Sequence, residues 1–184
     1  LDVANIFTAM GAGDVSIKID FDKMLYSIYS ARNLRNIKRK IAVMFMPDFD
    51  QYDNAEARFN IYLQTESYLK KYGFEVVEVE SGGISAKTYM NGSEYDVDDH
   101  RLIDIMDRLV ENLDGILLMT GDRHFYEIAS KYQSLGKEVK VISVSENSTY
   151  QGFIDDFDHT YIYHYWDCLY YLDKEVEYGS TRDY

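Results

Sequence analysis

Apolar residues at Phe21, Met24, Leu25, Ile28 and Leu34 recur every three or four positions, which predicts a helix that Asp20 or Asp22 can cap. The next apolar block, Ile41 to Met46, is continuous and of strand length, and the only proline, Pro47, stops it, so a strand buried on both faces is expected. A second helix runs from about Ala55 to Lys71; Gly73, where a left-handed backbone is tolerated, ends it before the strand "FEVVEVE". The rhythm then repeats. A helix beginning near Asp98 or Asp99 carries Leu102, Ile105, Met106 and Leu109 on one face and leads to the strand "GILLMT". A helix from about Phe125 to Leu135, closed by Gly136, leads to "EVKVISVS", a short helix within "STYQGFIDDFD" and a last strand, "HTYIYHY". At the start, Leu1-Asp2-Val3-Ala4 reads as the end of a buried strand.

Asn91-Gly92 between "AKTYM" and "SEYDV" is a type I′ hairpin signal, a small excursion from the main sheet. The remaining alternation of strands and helices, with crossover-length connections, predicts an α/β fold: a mostly parallel sheet with helices on both faces. A chain of 184 residues suits one domain, drawn here as residues 1–165 with a C-terminal helical extension and tail over 166–184, where Trp166 begins a surface helix and "YGSTRDY" frays.

Composition narrows the function. Nearly half the residues are hydrophobic and 18 are Tyr, ample for a core despite a net charge of −13. No apolar run is long enough to span a bilayer and "LDVANIF" is no signal peptide, so a cytoplasmic protein without a membrane partner is expected. Cys168 is the lone cysteine, which excludes an internal disulfide and a multi-thiolate zinc site. The negative charge repels polyanions, so any nucleic-acid role needs local cations or metal ions.

The candidate chemistry is acidic. In open parallel sheets ligands bind beyond the carboxyl ends of the strands, where Asp2 and Asp122 fall. The start of the helix near Asp99 adds Asp96, Asp98 and Asp99, with Asp104 further along. Oxygen donors without Cys or paired His suit Mg²⁺ or Mn²⁺. The bland alternative is that each acid only caps the helix that follows it.

"LDVANIF" resembles the opening Asp-x-x-Asn strand end of the NYN family of PIN-like ribonucleases, its LabA-like branch in particular. "ILLMTGDRHF" resembles that family's strand followed by Ser/Thr-Gly-Asp-x-Asp-Phe; "SAK" and "DDFDHTYIYHY" continue the resemblance to about Tyr163. It implies a PIN-like, Rossmann-like three-layer sandwich that cuts single-stranded RNA with Mg²⁺ or Mn²⁺. By the same resemblance Asp2, Asp99 and Asp122 are the catalytic acids. The resemblance places Asp2, Asp98 or Asp99, and Asp122 as metal ligands and Asn5 at the substrate; beside these, His124 is a candidate metal ligand and Thr120, Arg123 and Lys87 are candidate substrate contacts.

His124 stands where the family has a second Asp. Imidazole is the poorer Mg²⁺ partner, so His124 is a Mn²⁺ ligand, a general acid, a phosphate contact or a solvated helix residue. An altered or inactive module that binds nucleic acid or protein is therefore the alternative function, and a phosphatase or nucleotidase would use the same acids. Arg32, Arg35, Lys38, Arg39 and Lys40 form the one dense basic cluster, which could grip a nucleic-acid backbone but reads rather as a helix end complementing its own dipole. The aromatic run "HTYIYHYWDCLYYL" could stack single-stranded bases but reads rather as core or as the surface of a homodimer, and Gly11-Ala12-Gly13 as a loop.

Overall fold

The computed structural model describes residues 1–10, 17–29, 36–46, 48, 50, 53–80, 87–90 and 93–171. Its helices are α1 (Val3–Ala9), α2 (Phe21–Ile28), α3 (Ala55–Lys71), α4 (Val97–Leu109), α5 (Tyr126–Ser134) and α6 (Gln151–Asp156). The strands are β1 (Ile17–Ile19), β2 (Ile41–Met46), β3 (Glu75–Glu80), β4 (Lys87–Met90), β5 (Ser93–Asp96), β6 (Gly115–Met119), β7 (Glu138–Ser143), β8 (Asp158–Tyr161) and β9 (Leu169–Tyr171).

Two parallel blocks carry the fold, β2 beside β3 and β6-β7-β8 in that order. Residues 1 and 2 lie between them. The Leu1 carbonyl accepts from Val43 N–H at 3.2 Å, Asp2 bridges Val43 in parallel, and Asp2 N–H donates to the Met119 carbonyl at 3.1 Å. The order across the molecule is therefore β3, β2, Leu1-Asp2, β6, β7, β8.

Strand alternation sends neighbouring side chains to opposite faces. Ala42, Met44, Met119 and Ile142 bury against Ile6, Phe21, Met24 and Leu69 from α1, α2 and α3. Val43, Leu118, Val139 and Val141 bury against Leu102, Met106, Ile128, Tyr132 and Phe153 from α4, α5 and α6. These are the three layers expected: an α/β sandwich with a mostly parallel sheet.

Several elements differ from expectation. Val3 and Ala4 continue no strand: Asp2 turns the chain at once into α1, its carboxylate accepting from Asn5 N–H at 3.0 Å as an N-cap. The helix at Phe21 ends at Ile28, where Tyr29 is extended, and Leu34 lies outside the described residues. The last strand stops at Tyr161; residues Ile162–Cys168 form a 3₁₀ stretch, and Leu169–Tyr171 pair antiparallel with β1 instead of forming a surface helix. β4 and β5 pair antiparallel as a hairpin requires, with Met90 opposite Ser93. The turn itself, Pro47, residues 11–13 and the final "YGSTRDY" lie outside the described residues. No helix among the described residues is long and apolar enough to cross a membrane.

Two members of the basic cluster, Arg39 and Lys40, are used at home. Arg39 pairs with Glu75, and Lys40 bonds Asp22 at 3.1 Å and the Tyr72 carbonyl at 2.8 Å, all at the amino ends of β2 and β3. It precedes a strand rather than closing a helix, so the helix-dipole explanation does not apply to it; Arg32 and Arg35 lie outside the described residues.

Ile142, 1% exposed at the heart of β7, is the sharpest test of this core. Ile142→Ala is expected to lower the unfolding free energy by about 2–5 kcal/mol, read as a fall in the urea midpoint.

Candidate metal centre

Three chain segments meet at the carboxyl ends of the central strands. The first is Asp2, 4% exposed. One oxygen of its carboxylate caps α1 through Asn5 N–H, and the other accepts from the Thr120 hydroxyl at 2.7 Å. Burial, aided by the charge of Asp98, pushes its pKa up to about 6 against the pull of those two hydrogen bonds.

The second segment is the turn after β6. Thr120 is fully buried; its hydroxyl donates to Asp2 and accepts from Asp122 N–H at 3.0 Å, tying the two acids together. Asn5 reaches across from α1, its side-chain oxygen accepting from Gly121 N–H at 2.9 Å. Gly121 must be glycine for a steric reason: a Cβ there would overlap the Ser148 carbonyl oxygen. Tyr150 N–H holds the other side of the turn, donating to the Gly121 carbonyl at 2.8 Å. Asp122 then caps the 3₁₀ turn Arg123–Phe125, accepting from His124 N–H at 2.9 Å.

The third segment is the first turn of α4. Asp96 occupies the N-cap position without a side-chain cap bond, while Asp98 and Asp99 are buried at 8% and 6% exposure. Asp98 keeps part of the capping role, its carboxylate accepting from the first-turn backbone N–H groups of Asp98 and Asp99. Burial, reinforced by the charges of Asp2, Asp122, Asp98 and Asp96, pushes the Asp99 carboxyl up to about 8. Burial raises Asp98 too, with Asp96 and Asp122 adding to the effect.

His124 closes the cluster. Its Nδ1 lies 3.2 Å from Asp99 Oδ2 and 3.3 Å from Asp122 Oδ1, so the ring points at the acids and is not a freely solvated helix residue. Asp99, Asp122 and His124 each present a ligand atom within 4.8 Å of the others. The donors fit a divalent cation: two carboxylates and one imidazole, with Asp99 buried and Asp122 and His124 half-buried. Among the described residues no Lys or Arg forms an ion pair with Asp2, Asp98, Asp99 or Asp122; the imidazole of His124 is the cation-capable side chain that reaches Asp99 and Asp122.

The expected site residues divide accordingly. Asp99, Asp122 and His124 come together; Asp2 and Asp98 lie outside that trio and act on it through their charge. Asp104 points elsewhere, 3.5 Å from Arg108. Thr120 is fully buried, its hydroxyl bonded between Asp2 and the Asp122 N–H. Asn5 likewise uses its oxygen to hold the Gly121 turn. Arg123 is exposed beside the acids, and Lys87 is described by its backbone, which pairs with Asp96 just before α4. What the sequence reading missed is the bracing by Ser148 and Tyr150, which no local motif signals.

A family model described as the NYN domain matches residues 1–167 of the chain. No curated relative and no solved structure matches it.

Two outcomes follow from the geometry. Gly121→Ala is expected to displace the 148–150 segment and lower thermal stability, because the obstructing atom is backbone. The raised carboxyls carry protons in the folded state that they release on unfolding between pH about 4 and about 8. Stability of the metal-free protein is thus present at low pH and is lost as pH rises through that window, as far as these groups decide it. Thermal melts in EDTA should show the slope, and Asp99→Asn should flatten it and raise the melting temperature at pH 8.

Proposed function

The chain belongs to the NYN domain family, PIN-like nucleases, and from that premise we propose that it is a divalent-metal-dependent ribonuclease acting on single-stranded RNA. The observation that carries this reading is the convergence of Asp99, Asp122 and His124 at the carboxyl ends of the sheet.

In this reading Asp99, Asp122 and His124 hold the ion and Asp2 and Asp98 add negative charge around it. A bound Mn²⁺ or Mg²⁺ supplies Lewis-acid charge to a phosphodiester and lowers the pKa of water. Thr120 and Asn5 keep Asp2 and the Gly121 turn in register beside the ligand trio. Arg123, exposed beside Asp122, is assigned to a substrate phosphate, and Lys87 on the hairpin to a second. The imidazole in the donor set favours Mn²⁺ over Mg²⁺.

A second reading keeps the fold but not the hydrolysis: a nucleic-acid or protein-binding module, favoured by His124 in place of the family's second Asp. Cleavage of labelled single-stranded RNA separates the two. Cutting is expected with Mn²⁺, weaker with Mg²⁺ and absent in EDTA, and Asp122→Asn should reduce it by about 100-fold or more. Mn²⁺ should also raise the melting temperature of the wild type and leave Asp99→Asn nearly unmoved. RNA cutting that persists in EDTA, or unchanged in Asp122→Asn, would refute the metal mechanism.

A further inference from the structure

The sheet is joined at its carboxyl edge and open at its amino edge. Leu1 and Asp2 link β2 to β6, yet β6 runs back to Gly115, so behind Leu1 the two strands flank a gap. Exposure follows that gap. In β6, Leu118 and Met119 are buried, whereas Gly115, Ile116 and Leu117 are half-buried; in β2 the first residue, Ile41, is half-buried and the next three are buried.

Alternation along a parallel ladder fixes which backbone groups face the gap. Thr120 N–H donates to the Ile142 carbonyl and the Asp114 carbonyl accepts from Glu138 N–H, both on the β7 side, while the Met119 carbonyl accepts from Asp2 on the other. Gly115, Leu117 and Met119 therefore turn their N–H and C=O groups away from β7. In β2 the Lys40 carbonyl accepts from Glu75 N–H toward β3, while Ile41 and Val43 bond Leu1 on the opposite side. The N–H groups of Ile41, Leu117 and Met119 and the Leu117 carbonyl thus point into the gap. Among the described residues neither strand has a ladder partner on that side beyond Leu1 and Asp2.

The gap is a groove of about 570 Å³. Leu25 and Phe74 line it from the layer of α2 and α3, and Ile105 and Leu109 from the layer of α4, with Ile41 and Leu117 in its walls. Polar backbone edges between two apolar layers are costly unless paired. One more parallel strand answers both demands, because its backbone meets the edges and its side chains alternate into the two layers.

We propose that the groove seats a β-strand of about four residues, parallel to β2 and β6, apolar at every position and running directly into Leu1. Leu1 already holds the next place in that line, its amino group donating to the Ile41 carbonyl at 2.8 Å. A strand covalently joined to Leu1 needs no turn and no separate association, which favours it over a free peptide. The assignment rests on the two open edges and is independent of the ribonuclease reading.

The test places Lys-Val-Ile-Val-Ile directly before Leu1 and compares it with Lys-Gly-Ser-Gly-Ser at the same point. The apolar extension should raise Tm by about 5 °C or more over the Gly-Ser one. It should also slow amide exchange at Ile41, Leu117 and Met119 by about 100-fold, followed residue by residue by NMR. A third extension, Lys-Val-Ile-Val-Pro, removes the N–H that would reach the Leu117 carbonyl and should lose most of the gain, which an apolar tail merely adhering to the surface would keep. Equal Tm for the apolar and Gly-Ser extensions, unchanged exchange at the three amides, or a gain retained with proline overturns the strand. Stabilisation by free Lys-Val-Ile-Val-Ile but not by the joined sequence assigns the groove to a separate chain and also overturns the proposal.

Discussion

The pairing of residues 1 and 2 between β2 and β6 is the constraint on which the rest depends. Without it the described strands form separate parallel blocks; with it, hydrogen bonds from Val43 and to Met119 join them into one layer. The same two residues fix the chemistry. Asp2 is carried into the interior because its backbone belongs to the sheet, and it can stay there because Thr120 and Asn5 satisfy its oxygens. A buried carboxylate is costly, and here that cost is concentrated where cation binding would relieve it.

Capping and chemistry, which a reading of single residues sets against each other, coincide in this molecule. Asp2 caps α1 and Asp122 caps the 3₁₀ turn, each through one carboxylate oxygen. A cap locks a short side chain to its own backbone and so removes the rotamer freedom that a ligand would otherwise have to freeze. Asp99 achieves the same fixity by burial in the first turn of α4.

Much of this was legible in the chain. Continuous apolar runs such as Ile41 to Met46 mark strands covered on both faces, and the glycines at 73 and 136, both with positive φ, end their helices as their positions imply. The acids were legible because strand ends in a parallel sheet share one edge. What stayed hidden depends on partners distant in sequence. The spacing Val3, Ile6, Met10 is helical in hindsight, yet α1 is too short to stand out beside a strand-like start. β1 and β9 are three residues each and find one another across nearly the whole chain. That the Thr120 hydroxyl bonds Asp2, from the far end of the chain, is likewise invisible to local reading.

The Thr120 to Asp2 hydrogen bond spans 118 positions of sequence, and the loop it closes is among the last that a folding chain can afford to close. Asp2 and the turn that carries Asp122 and His124 come from segments far apart along the chain, so neither segment alone assembles the centre: it exists only once the sheet that joins them has closed.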